Sequence, residues 1–518
     1  FIFYFQGIYK LPVFDRDEAR FATASKTMLE TKDLVDIKMQ EEPRYKKPIG
    51  IYWLQFISNS IFGEKPFDKI WVYRLVSIIS ILVSLYLIFR FSEKLFSTKE
   101  SYLSIYFLVF SFLTISEVHQ AKTDATLFLA VILCNFTILD EINKKSLSTK
   151  NNLTFWISLG VGVLIKGPII FLFTLLPLLF FMIVKKKKIS FIWSNLGFSI
   201  FLLIVIPWFI LITLKSDGLF WHESVGHDLF QKIKSGQESH GFPPGYYLLL
   251  LFILLWPGSI FLPYLFKSFF YNWKQNYFKD NVNFFLFLWF FVPFVIFEII
   301  PTKLPHYIFP SYAPLCILIS NVILNNKFLS KLSWKASIVP LIFFPLIICG
   351  IITLSVFEYS QPDSYLWVIL IIMIFTIAFM VSFLFKKKIL AILFFAGIFQ
   401  IQTYLSAVYY LEKKLEPLWI SEKINSEIDK NLAKYDKIFH FGFNEPSLIF
   451  LTSHKATKLN IKDFTKDLKQ AKILYIVTED YVHEITKAEN FNDLKLIKKF
   501  DGFNYSQGRK IKVSFFGN

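Results

Sequence analysis

Residues 365–388 read YLWVILIIMIFTIAFMVSFLFKKK, twenty-one residues without a charge followed by three lysines. The hydrocarbon core of a bilayer takes ~20 apolar residues as a helix, so this stretch crosses a membrane and stops on a basic loop. The seven residues before it, Glu358 to Ser364, carry no Lys or Arg. One end of the span is therefore basic and the other is not, and lysine retained beside a span marks the cytoplasmic side.

The same pattern extends in both directions. Further apolar runs lie at roughly 70–90, 101–118, 122–140, 153–166, 168–184, 196–214, 246–266, 284–301, 305–324, 336–357 and 389–411. The run at 153–166 is short enough to be tilted, irregular or re-entrant. The first run, Phe1 to Tyr9, is too short to span and reads as the tail of a further helix; it lacks the n-region and cleavage site of a signal peptide. That makes about thirteen crossings. A hydrophobic fraction of 54% with 63 Phe among 518 residues agrees, since soluble domains stay near ~45–50% apolar.

Lysines alternate between the loops. Lys94 and Lys99, Lys144 to Lys150, Lys185 to Lys188, Lys267 to Lys279, Lys327 to Lys335 and Lys386 to Lys388 fall on one side, which the positive-inside rule makes cytoplasmic. Sorting of this kind accounts for the net charge of +17 without nucleic acid. Cys134, Cys316 and Cys349 sit inside apolar runs and read as small buried residues. The opposite side holds 10–69, the large loop 215–245 and the tail 412–518. In 10–69, Phe21, Ser25, Met28 and Leu29 share one helical face, and Ile49 to Ile61 form a second apolar stripe after Pro48. They read as two amphipathic helices lying in the outer interface, with core-packing helices as the alternative that the pattern alone does not separate. In the tail, Lys437 to Phe443 and Lys472 to Val477 read as strands and Asp501 to Gly508 as a hairpin turn, which makes a small α/β domain.

The outward segments collect charges that run against the positive-inside trend. They are Asp15 to Arg20, then Arg44, Lys46 and Lys47, Glu117 to Asp124, Lys166, three histidines of the large loop, and Lys303 with His306. A single such residue is ordinarily an interface anchor; the mixed set points to a site, because ionisable groups at membrane depth are costly. Lys47, Lys303, Lys166 and Arg44 can hold a phosphate by charge-assisted hydrogen bonds. Asp17, Glu18 and Asp124 can serve as base, acceptor orienter or metal ligands.

Three strings, Asp17-Glu18-Ala19-Arg20-Phe21-Ala22, Arg44-Tyr45-Lys46-Lys47-Pro48 and Pro301-Thr302-Lys303-Leu304-Pro305-His306-Tyr307, occur in that order. They resemble the bacterial branch of the protein O-mannosyltransferase superfamily, and within it the lipid A aminoarabinose transferases and related lipopolysaccharide glycosyltransferases. The resemblance runs from about residue 10 to 325 and rests on the motifs jointly. It implies a polytopic α-helical GT-C fold, with residues 1–411 as the transmembrane catalytic domain and 412–518 as a soluble periplasmic α/β domain. It implies a monomer in the bacterial inner membrane that moves a sugar from a polyprenyl (undecaprenyl) phosphate donor to a lipid or glycolipid acceptor on the periplasmic face, lipid A or another lipopolysaccharide component.

By the same resemblance Asp17 is the catalytic carboxylate and Asp124 a second acidic position, with Glu18 beside them. Lys47 matches the residue that contacts the polyprenyl phosphate and Lys303 lies in the signature turn, while Arg44 and Lys166 stay phosphate candidates on their charge alone. His240, His306 and Tyr307 belong to the substrate loops. The family commonly has Glu before the phosphate-binding lysine, and here it is Lys46. That exchange argues against a divalent metal, for which Asp124 and His240 would be the ligands. Two rivals remain: a protein O-glycosyltransferase of the same superfamily, and a flippase for a lipid-linked sugar. A flippase predicts charged or broken spans at the midplane and an internal repeat. A nucleotide-sugar enzyme fits less well, because such donors are cytoplasmic and these groups face outward.

Overall fold

The computed structural model describes residues 2–144, 148–231, 241–272, 277–324, 335–459, 471–486 and 494–518. The chain begins with α1 (Ile2–Lys10), α2 (Asp17–Thr31) and α3 (Gly50–Phe62). The two-residue strands β1 (Lys38–Met39) and β2 (Glu42–Pro43) pair between α2 and α3. The long helix α4 (Ile70–Leu95) follows, then α5 (Thr98–Val109), α6 (Phe112–Val118), α7 (Asp124–Lys144) and α8 (Thr149–Lys166).

Among the described residues eight helices are long and apolar enough to cross a membrane, or ten if each of two bent pairs counts as one span. The pairs bend by 65° between α5 and α6, and by 114° between Tyr246–Leu254 and Gly258–Phe270. The chain is thus a multi-pass membrane protein, but the thirteen crossings expected from sequence are not reached on length and composition. Residues 101–118 and 246–266, each read as one span, are broken by these bends, and Ile169–Lys185 is shorter than a full span. The expected span at 365–385 is the helix Ser364–Phe385.

Helix α7 is buried along nearly its whole length, through Ala125, Phe128, Val131, Ile132, Phe136 and Leu139. Peripheral helices instead turn large apolar residues outward, such as Leu203, Leu214, Leu354 and Phe375, which suits contact with lipid rather than water. At the far end of α7, Asp140 pairs with Lys94 at the end of α4 and accepts from Asn151 at 2.9 Å. At its near end stands Asp124. With ~1.5 Å rise per residue the two ends of α7 lie about 30 Å apart.

Of the two helices expected between residues 10 and 69, α2 is a core helix. Every residue from Glu18 to Leu29 except Arg20 is buried, because α3 covers one side and the helix Pro446–Thr452 of the tail covers another. Helix α3 keeps an exposed apolar end at Ile57, Ile61 and Phe62. Its first residue, Gly50, lies backbone to backbone against α8: a Cβ there would stand 2.8 Å from the Leu164 carbonyl.

The tail folds around a five-stranded sheet of order β4-β3-β5-β7-β6. Its strands are β3 (Lys437–Phe441), β4 (Thr457–Lys458), β5 (Ile473–Thr478), β6 (Lys495–Asn504) and β7 (Arg509–Gly517). Strand β3 runs parallel to β4 and β5, while β5 and β6 both pair antiparallel with β7. Both faces are covered. Leu474 and Ile476 pack with Ile420, Ile424 and Ile428, and Ile473, Tyr475 and Val477 pack with Phe441 and Ile485. Burial on two faces is why β5 reads as an unbroken apolar run.

Candidate functional site

Helix α7 begins with Asp124, α8 ends with Lys166, and the turn Pro305–Ser311 brings in His306. These converge on one buried cluster. Lys166 Nζ donates to Asp124 Oδ1 at 2.5 Å, and His306 Nε2 stands 3.9 Å from Asp124 Oδ2. Lys122, in the bend before α7, donates to His306 Nδ1 at 3.3 Å and pairs with Glu117 Oε1 at 2.9 Å. The Lys166 ammonium also lies 5.3 Å over the Tyr307 ring. Helix α8 can place its lysine here because it stops abruptly: Gly167 takes φ 69° and Pro168 follows, a conformation glycine reaches at no steric cost.

Asp17 opens α2 beside this cluster. Burial alone would raise its carboxyl, but its interactions with His306, Lys122 and Arg44 outweigh burial and hold it below the usual carboxylate range. Arg44, buried in the loop before α3, stacks 5.3 Å from the Phe21 ring, and its Nε has no hydrogen-bond partner among the described residues. Tyr52 of α3 is fully buried and feels Arg44, Asp17 and Asp228, which places Asp228 on the Asp17 side. Lys47 Nζ meets Asp228 Oδ2 at 2.6 Å. Next to it Lys46 is exposed, and with Arg44, Glu42 and Glu223 it lines a cleft of about 320 Å³.

Sequence reading thus gathered Asp17, Asp124, Lys166, Arg44, His306, Tyr307 and Lys47 into one region, and it missed Asp228 and the linking role of Lys122 and Glu117. Two of its candidates are placed otherwise. Glu18 faces away from the cluster and binds Arg74 in α4, whose Nε and Nη2 donate to its two oxygens at 2.8 and 2.7 Å. The same carboxylate accepts the Ala121 and Phe14 amides, so no lone pair is left for substrate. Arg74 itself went unread, although a charge inside an apolar run is a signal in its own right. Lys303 is buried with its ammonium on the carbonyls of Glu298 and Ile300, at 2.9 and 2.5 Å. It closes the end of the helix Asn281–Ile299. His240 lies outside the described residues.

Among the described residues the donors for a divalent metal do not assemble. Among the described residues no three His, Cys, Asp or Glu side chains group as ligands, and Asp124 is already engaged by Lys166 with Lys122 close by. No chemical step below passes through a metal.

The fold has a solved counterpart. ArnT from Cupriavidus metallidurans, bound to undecaprenyl phosphate, superposes with a TM-score of 0.76 over 99% of this chain and 96% of that one, at 17% identity. The chain has the ArnT fold. The family model for dolichyl-phosphate-mannose-protein mannosyltransferases matches residues 46–211. An undecaprenyl phosphate-alpha-4-amino-4-deoxy-L-arabinose arabinosyl transferase from Proteus mirabilis (strain HI4320) is 30% identical over 321 residues, 59% of this chain and 54% of that protein. Its counterpart in Photorhabdus laumondii subsp. laumondii is 28% identical over 61% of this chain and 57% of its own length. The chain therefore spans little more than half the length of these curated relatives, and the ArnT fold covers what the sequence matches do not. The resemblance read from the motifs of α2, the Arg44 loop and the Lys303 turn is that same transferase group.

Proposed function

We propose that the protein is a membrane glycosyltransferase that moves a sugar from a polyprenyl-phosphate donor to lipid A or another lipopolysaccharide component. On this reading the Asp17 end of the bundle and the tail face the periplasm, and the basic loops face the cytoplasm. The observation that carries it is the convergence of Asp17 and Asp124 with Lys122, Lys166 and Arg44 at one end of an ArnT fold.

Inside that cluster Asp17, Asp124 and Glu117 face Lys122, Lys166 and Arg44, so those cations already have acidic neighbours before substrate arrives. A donor phosphate brings new negative charge. The cation placed to meet it is Lys47, which is partly exposed and pairs with Asp228; phosphate oxygens would compete with that carboxylate. Arg44 supplies the second contact through its open Nε donor. As the bond from the anomeric carbon to the phosphate oxygen breaks, charge grows on that oxygen. Fixed cations in a site shielded from water can lower the barrier by several kcal/mol. If the acceptor is a hydroxyl, Asp17 takes its proton, an effect of about 10²–10⁴-fold. A lipid A phosphate arrives ionised, and Asp17 then orients it.

Transfer by purified protein from undecaprenyl phosphate 4-amino-4-deoxy-L-arabinose to lipid A tests this, with Asp17→Asn and Lys47→Ala alongside. Loss of turnover in both is expected. Full activity in both variants would overturn the site. Movement of intact donor across vesicles without transfer would replace the enzyme by a flippase.

A further inference from the structure

The tail reaches the segment that leads into Asp17, and it does so at successive residues. The Asp15 amide donates to the Tyr505 hydroxyl at 2.7 Å. The Ser447 amide donates back to Asp15 Oδ1 at 2.9 Å, and Arg16 Nη2 donates to the Ser506 carbonyl at 2.8 Å. On the bundle side the Phe14 amide is held by Glu18. Trp419 seals the junction, with its ring centroid 6.1 Å from Phe14 and 6.3 Å from Tyr505.

These anchors act on a backbone that would not keep its shape unaided. Arg16, immediately before Asp17, takes φ 68° and gives α2 no side-chain cap. A residue with a Cβ holds such a conformation only where its surroundings over-determine it. The surroundings here are themselves stapled. Glu445 Oε1 accepts from Asn504 at 2.8 Å and Gln507 at 2.9 Å, and Asn504 Oδ1 accepts the Ser506 and Gln507 amides. One carboxylate thus ties the β6–β7 turn, which holds Asp15 and Arg16, to the start of the helix whose Ser447 holds Asp15.

We propose that the tail is a working part of the site, in which Asp15 with Ser447 and Tyr505, and Arg16 with Ser506, are positioning residues that aim Asp17. The inference rests on the reading above that Asp17 acts on the acceptor. None of these residues needs to touch substrate. Their effect is on where the first turn of α2 points, and a displacement of ~1 Å at a reacting group can cost about 10²-fold in rate.

The test uses the full-length protein with undecaprenyl phosphate 4-amino-4-deoxy-L-arabinose and lipid A, and compares Asp15→Ala, Asp15→Asn, Tyr505→Phe and Asp17→Asn. Asp15→Ala should lower kcat at least about tenfold while binding of undecaprenyl phosphate alone stays within twofold, because Lys47 and Arg44 are untouched. Asp15→Asn keeps the Oδ1 acceptor for Ser447 and should recover most of kcat. Tyr505→Phe removes only a hydroxyl, so it should reproduce part of the loss at an unchanged melting temperature. Wild-type kcat in Asp15→Ala and Tyr505→Phe, with Asp17→Asn inactive, overturns the positioning role alone. Wild-type kcat in Asp17→Asn overturns the underlying reading as well. Equal losses of kcat, lipid binding and folded protein in Asp15→Ala, without recovery in Asp15→Asn, would reduce the contact to a structural one.

Discussion

Asp17 is kept ionised by its neighbours, not by water. Burial pushes its carboxyl towards the protonated form, and His306, Lys122 and Arg44 together reverse that push. Taking one cation away must therefore move the carboxyl back up. Arg44→Gln is the cleanest way to do so, because Lys122 is also the partner of Glu117. A carboxylate that works ionised loses activity as pH falls through its pKa, so raising the pKa moves the acid limb of the rate profile to higher pH. The expectation for Arg44→Gln is an acid limb of log kcat/KM displaced upwards, beyond any uniform fall from the lost phosphate contact. A profile that drops evenly at all pH values would mean that Arg44 does not set the charge on Asp17.

The elements that frame the site are locked by a pair of which sequence reading assigned one member, Glu18, to the chemistry and passed over the other, Arg74. Successive helix residues point about 100° apart, so Asp17 and Glu18, alike on paper, face different neighbours. Asp17 looks at the charge cluster, while Glu18 closes on Arg74 and fixes α2 against α4. Arg74 also donates to the carbonyls of Ile8, Leu11 and Pro12, which holds the end of α1 in the same joint. Removing one member of a buried, hydrogen-bonded pair strands the other and costs about 3–5 kcal/mol. Arg74→Met should accordingly lower the melting temperature far more than Lys47→Ala does, read by thermal unfolding in detergent. Equal melting temperatures would contradict the joint. What could be read beforehand was whatever repeats along the chain: apolar runs, the lysine alternation, strands β3 and β5, and the gathering of Asp17, Asp124, Lys166 and His306. What could not be read was which partner each charge would find. Lys303 looks like a phosphate ligand in its motif, yet its ammonium donates to the carbonyls that end the helix Asn281–Ile299. Such side-chain-to-backbone closures leave no periodic trace.

At the scale of the whole molecule, the tail and the bundle share a core instead of meeting at a loose seam. Phe450 and Leu451, from the helix Pro446–Thr452, pack in one cluster with Ala19, Ala22 and Leu29 of α2, Tyr73 of α4 and Ala121. The Phe450 ring lies edge-on to Tyr73, 5.3 Å between centroids. Its carbonyl accepts the fully buried Lys26 ammonium at 2.9 Å. Burial pulls the Lys26 pKa down, and Glu30 and Asp68 partly restore it, so the lysine depends on that carbonyl for its hydrogen bond. Phe450→Ala should open a cavity at this junction, and truncations of this size cost about 3–5 kcal/mol. The sheet keeps its own two-sided core through β5 and should stay folded. The expected result is therefore selective: hydrogen exchange should rise in α2 and in Pro446–Thr452, while β5 and β7 stay protected. Sugar transfer should fall with it, because Asp15 and Arg16 lose the surface that holds them. Unchanged exchange in α2 would show that the tail rides on the bundle without bracing it. Loosened α2 with full transfer would detach the bracing from the chemistry.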